Sequence, residues 1–165
     1  TLKDLFEPTC TISGLLSGYT EKGQKTVLPS RAMAKIDMRL VADQDPHEIY
    51  DLLRKHLDDN GFTDIESELI GAGYPARTSL EAPIAQIVAE TYEDVFGQAP
   101  AIYPTSPGSG PWYQLCDALG IDAATAGVGH GKSQAHAPDE NIYVDDFVLG
   151  IKHIVAIMDS FARAE

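Results

Sequence analysis

Residues 32–41 alternate strictly, with Ala32, Ala34, Ile36, Met38 and Leu40 on one side and Lys35, Asp37 and Arg39 on the other. A period of two with one apolar side predicts a half-buried strand of an antiparallel sheet whose second face is wet. The pattern then lengthens to the helical period. Ile49, Leu52, Leu53 and Leu57 form an apolar stripe, preceded by Asp45 as a cap, Pro46 at the first helical position and Glu48 at the capping-box position. Gly61 can supply the left-handed residue that ends such a helix. Residues 9–19 read as a strand upstream, and 64–70 as a weaker one downstream. The first part of the chain therefore predicts β-β-α-β, an α+β layer with one helix packed on an antiparallel sheet.

Residues 71–79 (GAGYPARTS) are rich in Gly and Pro and mark a crossing between domains, dividing the chain into 1–74 and 75–165. Beyond it, a helix over about 83–96 places Ile84, Ile87, Val88, Val95 and Phe96 on one face and stops at Gly97. A short strand near 100–104, a Gly/Pro-rich loop, a helix near 111–119 and a buried strand near 121–127 follow. The last helix is the clearest element: Phe147, Ile151, Ile154, Met158 and Phe161 recur at spacings of four and three, opposite Lys152, Asp159 and Arg163. Helices alternating with short apolar strands predict an α/β layer with a mostly parallel sheet. Each half is short of elements for its class, so the pattern as a whole predicts a piece of something larger.

An apolar fraction of 44% with 22% charged residues is enough for a core and argues against disorder. Charge narrows the partners. Twelve Lys and Arg against 25 Asp and Glu leave a net charge of −13, which repels phosphate backbones and anionic lipid. Nucleic acid and membrane are therefore excluded as expected partners, although a few local cations can still bind a small anion. Cys10 and Cys116 stand far apart, which predicts two buried thiols in a reducing compartment and no disulfide framework. No apolar run reaches the roughly 18 residues of a membrane span and no secretory leader is present, so a cytoplasmic setting is expected.

Three stretches carry chemistry. In GVGHGKSQAHAPDENIYVDDF (127–147), His130 and His136 offer neutral imidazoles that suit zinc, and Asp139 and Glu140 offer carboxylates that can orient them. A loop histidine is more often a solvated surface group, and a catalytic zinc needs three protein ligands, which no HExxH or CxxC supplies here. In YPTSPGSGPWYQL (103–115), Gly108, Ser109 and Gly110 form a turn entering a helix, whose N–H groups and hydroxyl favour an anion. A tight turn that merely needs glycines explains the same residues. Arg39 lies on the polar face of its strand, with Thr26 in the preceding GQKTVLP turn. An exposed strand arginine is usually just a solvated charge.

Taken in order, KTVLPSRAMAKIDMRLVADQDP (25–46), PTSPGSGP (104–111) and AGVGHGKSQAHAPDENI (126–142) resemble successive signatures of one hydrolase family. It comprises carnosine-type dipeptidases, succinyl-diaminopimelate desuccinylases, acetylornithine deacetylases and aminoacylases, metallopeptidases and amidohydrolases with two zinc ions per subunit bridged by water. The KTVLP and MRLV wording is closest to its dipeptidase-like branch. The resemblance implies that 1–74 is the second half of a lid, or dimerisation, domain and 75–165 the C-terminal segment of an α/β catalytic domain. It further implies that His136 is the family's last zinc ligand. Ser109, flanked by Gly108 and Gly110, would line the substrate pocket, while Arg39 and its neighbour Thr26 would grip the substrate carboxylate. In dipeptidase-like members that lid arginine reaches into the partner subunit's active site, which implies a homodimer. The substrate would be a small peptide or an N-acyl amino acid.

The departures matter as much. The family's early His-x-Asp segment, bridging Asp, Glu-Glu pair and further acidic ligand have no counterpart here, nor has the lid histidine that stabilises the oxyanion. A missing N-terminal catalytic part is therefore implied, no catalytic residue lies in this chain, and the chain alone is expected to be inactive. Two alternatives compete. A serine hydrolase using Ser109, His136 and Asp117 fits the chain order but lacks the Gly-x-Ser-x-Gly elbow. A non-catalytic dimerisation or ligand-binding module fits the exposed strand edge of the first half.

Overall fold

The computed structural model describes residues 6–103, 106 and 108–164. They divide into two compact units, one comprising the chain to Pro75 together with Pro104–Gly110, the other Ala76–Tyr103 and Pro111 onward.

In the first unit, β1 (Thr9–Ser17) and β2 (Ala32–Arg39) form an antiparallel pair with Thr9 opposite Arg39 and Ser17 opposite Ala32. A bulge between Ile12 and Gly14 shifts the register by one. That shift sorts the faces. Residues directly opposite share a face, so Cys10, Ile12 and Leu15 join Ala34, Ile36 and Met38, whereas an unbroken period of two would put Ile12 and Leu15 on opposite sides. The alternation expected over 32–41 is thus present, but its apolar face is open: Ile12 is 64% exposed and Leu15 75%. Cys10 stands on that uncovered face and is exposed, and Cys116 is half-buried, so neither thiol is buried as expected.

Helix α1 (Pro46–Asp59) begins as its sequence dictates. The Asp45 side chain accepts from His47 N at 2.7 Å and Glu48 N at 3.3 Å, and Gly61 takes the left-handed conformation just past the end (φ 84°). The hydrogen bond from the His47 N–H, followed by those from Glu48 N–H and the Tyr74 hydroxyl, holds the Asp45 carboxyl below its usual range. Since the folded carboxyl titrates below its unfolded counterpart, its contribution is complete above the ordinary carboxylate range and is lost as pH falls through the lowered value. Acidification is therefore expected to fray α1 in the native chain. Asp45→Asn, which caps without a charge, should flatten that acid limb in amide-exchange profiles of residues 47–50 and leave the neutral-pH profile unchanged.

The third strand expected at 64–70 does not form. Two of its carbonyls bond side chains of α1: Tyr50 Oη donates to Ser67 O at 2.9 Å, and Arg54 donates to Ile65 O as well as to Phe62 O just before the segment. The segment is thus tied to a helix through side chains and has no neighbouring strand among the described residues. Nor does α1 pack on the sheet as expected; the substantial packing in this unit is β1 on β2.

In the second unit, α2 (Pro83–Phe96) ends at Gly97, whose φ of 69° terminates it as expected, and packs on α4 (Val144–Arg163). Their contact is latched by a polar pair. His153 and Thr91 are 3% and 4% exposed; Thr91 Oγ1 donates to Ile87 O at 2.6 Å, and His153 Nε2 lies 3.1 Å from Val88 O and 3.2 Å from Thr91 Oγ1. The rings of Tyr92 and Phe96 meet the imidazole edge-on at 5.5 and 5.8 Å. The stripe predicted for α4 lies elsewhere. Phe147, Ile151, Ile154, Met158 and Phe161 are all exposed, about one helical residue step round from the face that meets α2. Phe147, Ile151 and Ile154 of this second stripe, with Ala126, Gly127 and Val128, line an apolar groove of about 370 Å³. Val128 crosses α4 so closely at Gly150 that a Cβ there would collide with it.

The buried strand expected at 121–127 is also absent as a strand, and Ile121 is 56% exposed. Ile121 N donates to Cys116 O and Ala123 N to Thr78 Oγ1, so turn and side-chain acceptors replace a neighbouring strand. Residues 100–103 carry no strand either, and Pro104 lies outside the described residues. The helix expected over 111–119 is a short α3 (Trp112–Leu115) and a 3-10 turn (Asp117–Leu119), broken at Cys116. Among the described residues the chain forms two antiparallel strands and four α-helices, and the expected parallel sheet is not among them.

Surface area states the consequence. One folded body of this mass exposes roughly 8000 Å², and two bodies of half the mass roughly 9600 Å²; this chain exposes 13364 Å². The open sheet face and the second stripe of α4 are part of that excess. No helix among the described residues is long and apolar enough to cross a membrane.

Candidate functional site

Arg39 is the last residue of β2, and the alternation that sends Ile36 and Met38 to the apolar face sends Arg39 and Asp37 to the other. Asp37 Oδ1 accepts from Arg39 Nε at 2.9 Å, both side chains remaining about half exposed. Arg39 Nη1 donates to the hydroxyl of Ser109. The two residues singled out from distant stretches of sequence therefore meet within the first unit, in one chain, whereas the family resemblance implies an arginine supplied to a partner. Asp37 fixes the plane of the guanidinium through Nε. Among the described residues Nε and Nη1 are the guanidinium nitrogens with partners. Asp37 went unremarked as a site residue, although its position two residues before Arg39 puts it on the same face.

Gly108 N donates to Ser106 Oγ at 3.3 Å, so a serine turn shapes the approach to Ser109. Gly108, Ser109 and Gly110 are exposed. The chain enters only a four-residue helix beyond them, so the expected helix N-terminus contributes little dipole to an anion here. Thr26 is exposed in the connection between β1 and β2, with no hydrogen-bond partner for its side chain among the described residues. The Ser109 hydroxyl accepts from the Arg39 guanidinium.

His136 belongs to the second unit, in the loop between His130 and α4. It has a left-handed backbone (φ 62°), as do Gln134 (φ 53°) and Asp139 (φ 63°). Left-handed non-glycine residues are uncommon, and three within six positions mark a loop held in shape by its bonds. The His136 side chain is exposed and without a partner among the described residues, which suits an imidazole awaiting a ligand. One imidazole is not a metal site. Among the described residues no three His, Cys, Asp or Glu side chains gather where they could hold a metal.

The sequence profile described as Peptidase family M20/M25/M40 matches residues 6–160. The chain is 25% identical over 168 residues to the Cys-Gly metallodipeptidase DUG1 of Saccharomyces cerevisiae, a match that takes in 95% of this chain and 34% of that protein. Among solved structures it is similar to the M20 family metallo-carboxypeptidase Sso-CP2 of Sulfolobus solfataricus, with a TM-score of 0.82 and 40% identity over 94% of this chain and 36% of that one. Human carnosine dipeptidase 1 shares the fold at a TM-score of 0.72 and 20% identity, over 94% of this chain and 34% of that one. The chain thus spans about a third of the length of the relatives it matches.

Proposed function

Since the chain belongs to peptidase family M20/M25/M40, a family of metallopeptidases, we propose that it contributes the carboxylate clamp and one metal ligand to a dipeptidase-like hydrolase. The observation that carries this reading is the meeting of Arg39 with Ser109, with Asp37 locking the guanidinium from behind. A fixed guanidinium beside a hydroxyl recognises the terminal carboxylate of a small peptide or N-acyl amino acid. Binding at that end orients the amide bond, and orientation is what a clamp remote from the reacting atoms can supply. Metal bound by the complete enzyme would supply the activated water; His136 would hold one such ion. The chain alone is inactive in this reading, because it lacks a ligand set. The first unit, with its open sheet face, is the place for a homodimer contact, and the setting is cytoplasmic.

The test compares a dipeptide with its C-terminal carboxamide as substrates of a longer protein containing this chain. A clamp for the carboxylate should favour the acid by about 100-fold in kcat/KM, the worth of a charge-assisted, two-point hydrogen bond. Equal rates on both would remove the carboxylate from recognition.

A further inference from the structure

Asn141 engages its backbone N–H and both side-chain polar atoms on the loop that carries His136. Its backbone N–H donates to Ser133 O at 3.0 Å, and its side-chain Nδ2 donates to Asp139 O at 2.8 Å. Its Oδ1 lies 3.2 Å from His130 Nε2. The proton positions follow from one another. Asp139 O can only accept, so Nδ2 must face it and Oδ1 must face His130. His130 Nδ1 accepts from Lys132 N at 3.3 Å, so Nε2 carries the ring proton and donates it to Asn141. The imidazole is further held by stacking on Tyr143, with ring centroids 4.2 Å apart. The loop is thereby pinned at its start by His130, midway through Ser133, and near its end by Asp139; of the left-handed residues, Gln134 and His136 fall between the last two pins and Asp139 is itself a pin.

We infer that Asn141 is the positioning residue of this loop: by bridging His130, Ser133 and Asp139 it holds the left-handed path that presents His136. The inference rests on the proposed role of His136, and its test separates the two. Asn141→Ala and Asn141→Asp are compared with the native chain by amide exchange and by the nitrogen resonances of His130. Asn141→Ala should speed exchange at Lys132, Ser133 and Ala137 by about tenfold or more, the weight of the one to three hydrogen bonds removed. The His130 resonances should lose the pure Nε2–H signature. Asn141→Asp keeps an acceptor for His130 but no donor for Asp139 O, so it should keep that signature while still speeding exchange. A residue that is simply structural would not separate the two readouts in this way. Amides of α2 and α4 around His153 should be unchanged in both variants. Unchanged loop exchange in Asn141→Ala, or loss of protection throughout α2 and α4, contradicts the inference. Should Asn141→Ala free the loop while His136→Ala leaves the metal content of the longer protein intact, the loop assignment stands and the metal reading fails. The reverse pair of results would sink the positioning role alone.

Discussion

Arg39→Ala in a longer protein containing this chain should lower kcat/KM on a free dipeptide by about 100-fold, the cost of losing a charge-assisted pair of hydrogen bonds. On the matching carboxamide the change should stay under about threefold, because that substrate offers no carboxylate to lose. The guanidinium meets Ser109 through Nη1 and Asp37 through Nε, so its plane is set before any substrate arrives. Arg39→Lys keeps the charge but not the fork, and should recover no more than about a tenth of the native rate. Ser109→Ala should cost less, since the hydroxyl assists a clamp whose charge remains. Steady-state kinetics on the acid and the amide, run side by side, decide this. An equal loss on both substrates would mean that Arg39 supports the fold and does not read the substrate.

His136→Ala should remove about one metal ion per subunit from such a protein, since a catalytic site has three protein ligands and none to spare. Hydrolysis should fall with the metal. The imidazole stands exposed, without a partner among the described residues, on a loop tied down at both ends, so its loss should leave the loop itself in place. His130→Ala makes the comparison sharp. That ring is spent on Asn141, Lys132 and Tyr143, and its removal should loosen the loop and weaken metal without deleting a ligand. Metal analysis after dialysis, alongside loop amide exchange, separates the two effects. Native metal content in His136→Ala would remove His136 from the ligand set.

The helices were legible in the sequence because their determinants are local. Asp45, Pro46 and Gly61 each sit within a turn of the bond they make, and Gly97 ends α2 where its backbone freedom is needed. Strands are different, since a strand exists only beside another. The segments at 64–70 and 121–127 have strand-like composition, but their backbone groups find α1 side chains, a turn carbonyl and Thr78 where a neighbouring strand would stand. The α4 stripe was read correctly as apolar yet proves to be the open one; the buried face is organised around His153, a residue whose polarity disguises it as surface. At the site, the Gly-Ser-Gly turn and Arg39 could be named from motif, but their meeting joins residues 70 positions apart and no periodicity carries that information. Asn141 escaped notice because its role lies in how its amide is oriented, which follows only from its three partners.

The chain belongs to a metallopeptidase family, and the role proposed for His136 gives it a single member of the metal-ligand set. Metal bound after dialysis against dilute zinc, measured on this chain and on a longer protein containing it, tests that claim most directly. The account expects about two ions per subunit on the longer protein, as a two-metal site requires, and no stoichiometric metal on this chain. Stoichiometric zinc on the chain alone would contradict it.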